Sequence, residues 1–238
     1  MTETNTKQRA RFSPANALGK PFRGLMSARR KYGMEWWLMM IGSIIILFII
    51  YTAFFPGTIA PYGPQDQEAG PQLAAPSKAH PMGTDNLSRD IFSRMIHGSR
   101  TILGVAFAAA IISSIVGVTL GLFSGFIGGA LDRILSLVMD SIYSFPGLIL
   151  AIAFAAMLGP GVINITLAVA VIYIPTYFRL VRGQTLSIKE EVYVEAARAI
   201  GAKRWTIVIK YVFPNVIATA AAIFCFNIGD AIMTEAAL

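Results

Sequence analysis

Residue types that carry out catalysis or bind metal ions are sparse in this sequence. The only cysteine, Cys225, stands within an apolar stretch, and the two histidines, His80 and His97, are isolated. A single cysteine supports neither a disulfide framework nor a cysteine-based metal cluster. No nucleophile stands beside a base in a pattern typical of covalent catalysis. We therefore predict no catalytic residue and no metal site.

Polar residues within long apolar stretches are the next candidates for function. Asp140 is followed closely by Pro146, and a later stretch carries Asn227, Asp230 and Glu235. An acid inside a membrane span is costly unless it faces protein or water. Proline kinks a span where neighbours or water satisfy the freed carbonyl. We predict that these residues line a path through the membrane or pack against a partner helix.

The segment from Arg182 to Asn215 has a different composition, being charged and rich in alanine. Ser187 and Glu190 have the spacing of a capping box, which predicts a helix start. Glu190 and Glu191 then lie in the first turn, where the helix dipole favours acids. Ala196, Ala197 and Ala199 extend this helix because alanine has the highest helix propensity.

Gly201 predicts the end of that helix, because glycine is the preferred residue just beyond a helix C-terminus. A second short helix, 203–212, is predicted to stop before Pro214. The result is a compact helix–glycine–helix element whose small alanines allow close packing in a groove of another protein. The alternative is an amphipathic helix lying on the inner leaflet.

Five long apolar stretches must position these residues. The chain has 238 residues, of which 55% are hydrophobic and 14% charged, whereas soluble domains carry about 25% charged residues. A helix needs about 20 apolar residues to cross the membrane. The stretches that meet or approach this length are Trp36–Phe55, Ile102–Phe123, Ile134–Leu158, Val162–Leu180 and Val216–Met233. These features predict an all-α polytopic membrane protein.

The distribution of basic residues predicts the orientation. Residues 1–31 hold eight lysines and arginines against one acid, residues 179–210 hold seven, and the loop 57–100 holds four bases and four acids. By the positive-inside rule, the N-terminus and the 182–215 loop face the cytoplasm and the 57–100 loop faces outside. Confinement of the positive charge to the inner side argues against nucleic acid as a partner.

These boundaries divide the chain into four parts: a basic cytoplasmic segment 1–35, a first transmembrane helix 36–56, an extracytoplasmic loop 57–100, and a membrane core 101–238. Within the loop, Gly83–Arg100 predicts an amphipathic helix capped by Thr84 or Asp85. The alternative is a solvated linker. Along the second apolar stretch and just beyond its end, Gly117, Gly121 and Gly125 recur every four residues, which predicts close approach of another helix.

Several motifs in order resemble one family of membrane proteins. Glu195-Ala196-Ala197 followed by Gly201, Ala202 and Pro214 is similar to the EAA loop of binding-protein-dependent ABC importer permeases. Further similarities to the dipeptide, oligopeptide and nickel permeases cover residues 30–238, and the chain is nearest to their C-type subunit. They are carried by the external run Gly83, Thr84, Asp85, Arg89 and Asp90, by Phe145-Pro146, by Leu158-Gly-Pro-Gly161, and by Glu235-Ala-Ala.

The resemblance implies an assembly and a mechanism. The permease would pair with a second, homologous permease, above two ATPase subunits and below an extracytoplasmic substrate-binding protein. The EAA loop would dock in a cleft of an ATPase subunit. This chain has no Walker A pattern, since Pro14 stands where the motif that would end at Gly19-Lys20 needs its leading glycine. ATP and Mg²⁺ are therefore expected on the partner subunits, and this chain is not expected to be an enzyme.

Other functions and substrates stay open at this point. A membrane enzyme using Asp140, Asp230 or Glu235 lacks the surrounding catalytic groups, and a non-transporting scaffold or sensor would keep the same fold. Importers of peptides, nickel, opines and oligosaccharides share these motifs. Family members continue into a sixth span, and we expect this span to be missing from the present chain, which would then be truncated.

Overall fold

The computed structural model describes residues 20–238, with side chains from Gly33 onward. Helix α1 spans Lys20–Phe54 and carries a break in its helical geometry at Gly33, where φ is +53°. Its membrane-spanning part is Gly33–Phe54. This part overlaps most of the predicted first span 36–56, whereas most of the basic segment 1–35 lies outside the described side chains.

The other long helices form the body of the molecule. Helix α2 spans Ile91–Ile127, α5 spans Val162–Ile188, and α8 spans Phe213–Ala236. With 37 residues α2 is about 56 Å long at 1.5 Å per residue, so it extends beyond the hydrocarbon layer of about 30 Å. The predicted boundary between loop and core at residue 100 thus falls inside one continuous helix.

A broken helix pair stands where the third span was predicted. Helix α3 spans Gly129–Tyr143 and α4 spans Gly147–Leu158, and the two meet at 91°. Pro146 occupies the N-cap position of α4, where its missing N–H costs no helical hydrogen bond. One kinked span was predicted over Ile134–Leu158, and the bend is much sharper than a proline kink. The chain turns through a right angle at Ser144–Pro146.

The membrane assignment rests on the described helices. Four of them, in α1, α2, α5 and the continuous run Arg204–Ala236, are long and apolar enough to cross a bilayer, and the bent pair α3–α4 makes a fifth if it counts as one span. The prediction of an all-α polytopic membrane protein is confirmed. Within residues 20–238 the β-structure is limited to one isolated bridge, between Thr84 and Asp90.

The core lies between α2 and α5, which pack along most of their lengths. An ideal Cβ on Gly117 would lie 2.5 Å from the Tyr177 Cβ, and one on Gly121 would lie 2.6 Å from the Phe178 carbonyl oxygen. A Cβ on Gly125 would lie 2.8 Å from the Thr185 Cβ. The glycine row is therefore a groove that receives α5, which confirms the predicted close approach.

Candidate functional site

Helix α6, Val192–Ala199, carries the Glu195-Ala196-Ala197 motif. It ends in a Schellman arrangement, in which the Gly201 N–H donates to the Arg198 carbonyl and the Ala202 N–H donates to the Ala197 carbonyl, both at 3.0 Å. Gly201 has φ of +83°, a left-handed conformation that glycine adopts without steric cost. The prediction that Gly201 ends this helix is confirmed.

The start of α6 differs from the prediction. Ser187 belongs to the last turn of α5, where its hydroxyl donates to the Gly183 carbonyl, and Glu191 is the N-cap of α6 without a side-chain hydrogen bond. The predicted capping box of Ser187 and Glu190 was therefore wrong. A serine inside a helix satisfies its hydroxyl on the preceding turn, and here α5 continues to Ile188.

One face of α6 is fixed to the membrane helices. Val194 and Ala197 are buried in a cluster with Ile207, Val208 and Val212, at the start of the continuous run that leads into α8. The partly buried Ala202 packs against the same cluster. This contact joins α6 to the long helix that follows it.

The opposite face of α6 is open. Glu195 and Ala196 are exposed, and the apolar side chains of Val192 and Ile200 are 79% and 83% exposed. Exposed apolar groups beside small residues, at the end of a rigid helix, are typical of a surface that another protein covers. We call the residues Val192, Glu195, Ala196 and Ile200 the exposed α6 face.

The chain enters the last long helix without a break. Helix α7, Arg204–Ile207, leads through a π-helical turn, Val208–Val212, into α8, with Pro214 in the first turn of α8. The predicted stop before Pro214 was wrong. Proline lacks an N–H and its ring crowds the carbonyl four residues earlier, and the wider π turn accommodates both defects.

The acids near α5 differ in their partners. Asp132 of α3 accepts two hydrogen bonds from Arg182, at 2.5 Å from Nε and 2.7 Å from Nη2. Asp140 accepts one from Arg179 at 2.8 Å, so this predicted pathway residue pairs with α5. Asp132 was missed from the sequence, because its partner lies 50 residues away and its position between two predicted spans gave no local signal.

The acids and amide of α8 lie in different surroundings. Asn227 is buried, Asp230 is exposed and Glu235 is partly buried. The Tyr173 hydroxyl donates to Asp230 Oδ2 at 2.8 Å and lies 3.0 Å from the Thr234 hydroxyl. The structure thus brings Asp230 against α5, while Asp140 and Pro146 lie on the α3–α4 pair.

Two carboxylates order the loop between α1 and α2. Asp85 accepts hydrogen bonds from the backbone N–H groups of Leu87 and Arg89, from Arg89 Nε and from Arg94 Nη1, at distances from 2.6 to 3.0 Å. The guanidinium of Arg89, together with these backbone donors, holds the pKa of Asp85 well below its ordinary value of 3.8, although burial opposes the shift. Asp85 is therefore the centre of a turn that precedes α2.

Asp90 is the other organising carboxylate of this loop. It is fully buried, accepts the Ser93 N–H at 2.7 Å as the N-cap of α2, and lies 3.0 Å from His80 Nδ1. Burial opposes its charge, but the bonds from Ser93 and His80 outweigh burial and lower the pKa of Asp90. The helix predicted from Gly83 therefore begins at Ile91, and neither Thr84 nor Asp85 caps it.

Gly83 and Thr84, the other residues of the sequence motif before α2, belong to the same turn. Thr84 hydrogen-bonds to the Pro71 carbonyl and accepts the Ala74 N–H. Gly83 has φ of +77°, and its carbonyl accepts the Ile91 N–H at 3.1 Å. Gly83, Thr84, Asp85, Arg89 and Asp90 thus form one unit that fixes the loop onto the start of α2. This packing argues against the alternative of a solvated linker.

We predict that Asp85→Asn loosens this turn at neutral pH. A carboxyl with a lowered folded-state pKa stabilises the fold above its unfolded pKa, and that stability is lost as pH falls through the folded value. Hydrogen exchange followed by mass spectrometry gives the protection factors of the backbone amides of residues 71–94. The ratio of these protection factors between wild type and variant should stay constant from about pH 8 to 5 and approach one below about pH 4. A difference that already disappears between pH 7 and 5 would contradict the role of Asp85.

Comparisons with known proteins agree with these features. Residues 117–238 match the family described as "Binding-protein-dependent transport system inner membrane component". The glutathione transport system permease protein GsiD of Pectobacterium atrosepticum is 38% identical over 197 residues, covering 82% of this chain and 65% of that protein. The GsiD protein of Escherichia coli O6:K15:H31 is 37% identical over 202 residues, covering 84% of this chain and 67% of that protein.

A third relative carries a different substrate name. The probable D,D-dipeptide transport system permease protein DdpC of Escherichia coli K12 is 35% identical over 201 residues, covering 84% of this chain and 67% of that protein. This chain thus spans about two thirds of the length of the curated relatives it matches. On the domain match and these relatives, the chain belongs to the binding-protein-dependent transport system inner membrane component family.

Proposed function

We propose that this chain is a permease subunit of an ATP-binding-cassette importer for peptides or a related small solute. The observation that carries the proposal is the rigid α6 element. It presents the exposed α6 face on one side, and on the other Val194 and Ala197 are buried in the cluster that includes Ile207 of α7 and Val208 of the π turn. The names of the relatives, glutathione and D,D-dipeptide transport permeases, support the peptide class.

The proposed assembly contains four further subunits. A second, homologous permease would complete the translocation path, two ATPase subunits would bind ATP and Mg²⁺, and an extracytoplasmic binding protein would deliver substrate. The chain would lie in the inner membrane with its N-terminus in the cytoplasm, as the positive-inside rule indicates. The absence of a Walker A pattern from the sequence supports ATP hydrolysis on the partner subunits.

The packing of α6 suggests how a movement of the ATPase would reach the membrane. Val194 and Ala197 contact the same buried cluster as Ile207 and Val208, which lead directly into α8. A close-packed contact transmits displacement because it cannot deform continuously. Closure of the ATPase pair would therefore shift α6 and α8 together and switch the path between its outward-open and inward-open states.

Co-purification tests this assignment. We expect the tagged chain, co-expressed with its neighbouring permease and ATPase genes, to retain the ATPases, and we expect Ile200→Asp to reduce the retained ATPase at least tenfold. Because Ile200 is exposed at the C-cap of α6, this change places a charge in the proposed contact without disturbing the core. Leu87→Asp, at an exposed apolar residue of the external loop, is the matched control. A wild-type chain that retains no ATPase would contradict the proposal and favour a scaffold.

A further inference from the structure

Of the four described acids on α3 and α8, two are paired with arginines and two are not. Asp132 and Asp140 each face an arginine of α5, at 2.5 Å from Arg182 and 2.8 Å from Arg179. Neither Asp230 nor Glu235 has an ion-pair partner among the described residues. Asp230 is held by a neutral hydroxyl, that of Tyr173, and Glu235 Oε2 is buried without a hydrogen bond from a described residue. An unbalanced carboxylate within a span is costly and marks a functional position.

Asp230 lines a cavity. The cavity is partly open, so that Asp230 is exposed at its edge. It has a volume of about 490 Å³ and lies between the α3–α4 bend, α5 and α8, within the range of about 300–1,000 Å³ that small-molecule sites occupy. Its polar lining includes Tyr173, Thr176, Asp230 and Thr234, and its apolar lining includes Phe145 and Ile172. A few converging polar groups on an apolar wall are typical of a site that orients a ligand.

The polar groups of this cavity are held in place before any ligand arrives. Tyr173 is 7% exposed, and its hydroxyl donates to Asp230 Oδ2 while lying 3.0 Å from the Thr234 hydroxyl. The Thr234 hydroxyl is itself bonded to the Asp230 carbonyl at 3.0 Å. This arrangement fixes one carboxylate oxygen and leaves Asp230 Oδ1 without a hydrogen bond from any described residue.

Asp230 lies toward the C-terminal end of α8, six residues before its last residue, Ala236. It follows Phe213 by seventeen residues on α8, which places it about 26 Å along the helix at 1.5 Å per residue. Tyr173 follows the start of α5 at Val162 by eleven residues, or about 16 Å. The cavity is therefore remote from α6, so that a change at Asp230 and a change at the exposed α6 face can be tested separately.

We propose that Asp230, oriented by Tyr173 and Thr234, receives a protonated primary amine of the transported solute, such as the α-ammonium group of a peptide. An ammonium group supplies three donors and one positive charge. It would balance the charge of Asp230 through a charge-assisted hydrogen bond, which is stronger than a neutral one. This inference rests on the proposed function and adds the chemical group that the membrane path recognises.

The test uses the complete importer in proteoliposomes, with alanyl-alanine delivered by the saturated binding protein. We expect Asp230→Asn, which keeps the shape and removes the charge, to lower alanyl-alanine uptake at least tenfold. ATP hydrolysis stimulated by the loaded binding protein should stay within twofold of wild type. Asp230→Glu should recover part of the uptake, and Tyr173→Phe should lower it less than Asp230→Asn because the carboxylate remains.

Glu68→Gln, which removes one charge from an exposed residue of the external loop, is the matched control and should transport normally. Wild-type uptake by Asp230→Asn would overturn the inference, and so would an equal loss of uptake and ATP hydrolysis, which indicates a coupling defect. Failure of Asp230→Asn to assemble, with normal assembly of Asp230→Glu, would also overturn it, since the carboxylate would then pair with a neighbouring subunit. A wild-type complex without ATP-dependent uptake would instead contradict the proposed function.

Discussion

Replacing Gly201 with valine is expected to abolish substrate uptake while leaving membrane insertion intact. Gly201 has φ of +83°, and a left-handed backbone costs non-glycine residues about 1–2 kcal/mol, with β-branched residues affected most. Relief of this strain would displace the Ala202 N–H from the Ala197 carbonyl and release the end of α6. ATP-dependent uptake by the reconstituted complex should fall at least tenfold, with unchanged amounts of the chain in the membrane.

Two further substitutions separate backbone conformation from side-chain bulk at Gly201. A Cβ built on Gly201 meets no atom within 4 Å, so bulk alone causes no clash within the chain. Asparagine tolerates the left-handed conformation better than other non-glycine residues, so Gly201→Asn should retain more uptake than Gly201→Ala or Gly201→Val despite its size. If Gly201→Asn and Gly201→Val lose uptake equally, the cause is steric exclusion of the partner subunit by the added side chain. Wild-type uptake by Gly201→Val would refute the coupling role of Gly201.

Replacing Gly121 with leucine is expected to be the most damaging change to the membrane core. A Cβ there would lie 2.6 Å from the Phe178 carbonyl oxygen and 3.1 Å from the Arg182 nitrogen. Both are backbone atoms of α5 and cannot move aside independently. Overpacking costs about 1–3 kcal/mol or more, and here it separates the two central helices. The thermal midpoint of the purified complex in detergent, followed by intrinsic fluorescence, should drop by several degrees or the chain should be degraded.

Gly104 provides the control for this substitution. It lies on the same helix, and a Cβ built there meets no atom within 4 Å. Gly104→Leu adds the same side chain to α2 without a contact to α5, so it should leave the thermal midpoint close to that of wild type. Equal destabilisation by both variants would show that leucine disturbs α2 itself, and the α2–α5 groove would not be the cause.

Periodic and compositional signals in the sequence predicted the main architecture. Long apolar stretches are a physical requirement of the membrane itself, so they appear locally in the sequence. The four-residue glycine repeat predicted the α2–α5 contact for the same reason, because close approach of helices needs small residues on one face. Gly201 was predictable because its backbone conformation favours one residue type.

Features that depend on distant contacts were not predictable. Ser187 and Glu190 have the spacing of a capping box, but packing of α5 extends that helix to Ile188. Pro146 predicted a bend without its angle, since neighbouring helices determine how far α4 turns. The Asp132–Arg182 pair joins residues that are 50 positions apart, and no spacing rule identifies such a pair.

The most direct test of the central claim, that α6 contacts an ATPase subunit, is cysteine cross-linking. Cys225 is the only native cysteine, so Cys225→Ser gives a background in which Ala196→Cys places one thiol on the exposed α6 face. With a cysteine introduced at the mouth of the cleft on the ATPase, oxidation in membranes should form a disulfide-linked pair of this chain and the ATPase. Leu73→Cys, on an exposed residue of the loop between α1 and α2, should form none, because the account places that loop on the opposite side of the membrane. An assembled, transporting complex in which Ala196→Cys gives no cross-link to any position around the ATPase cleft would contradict the account.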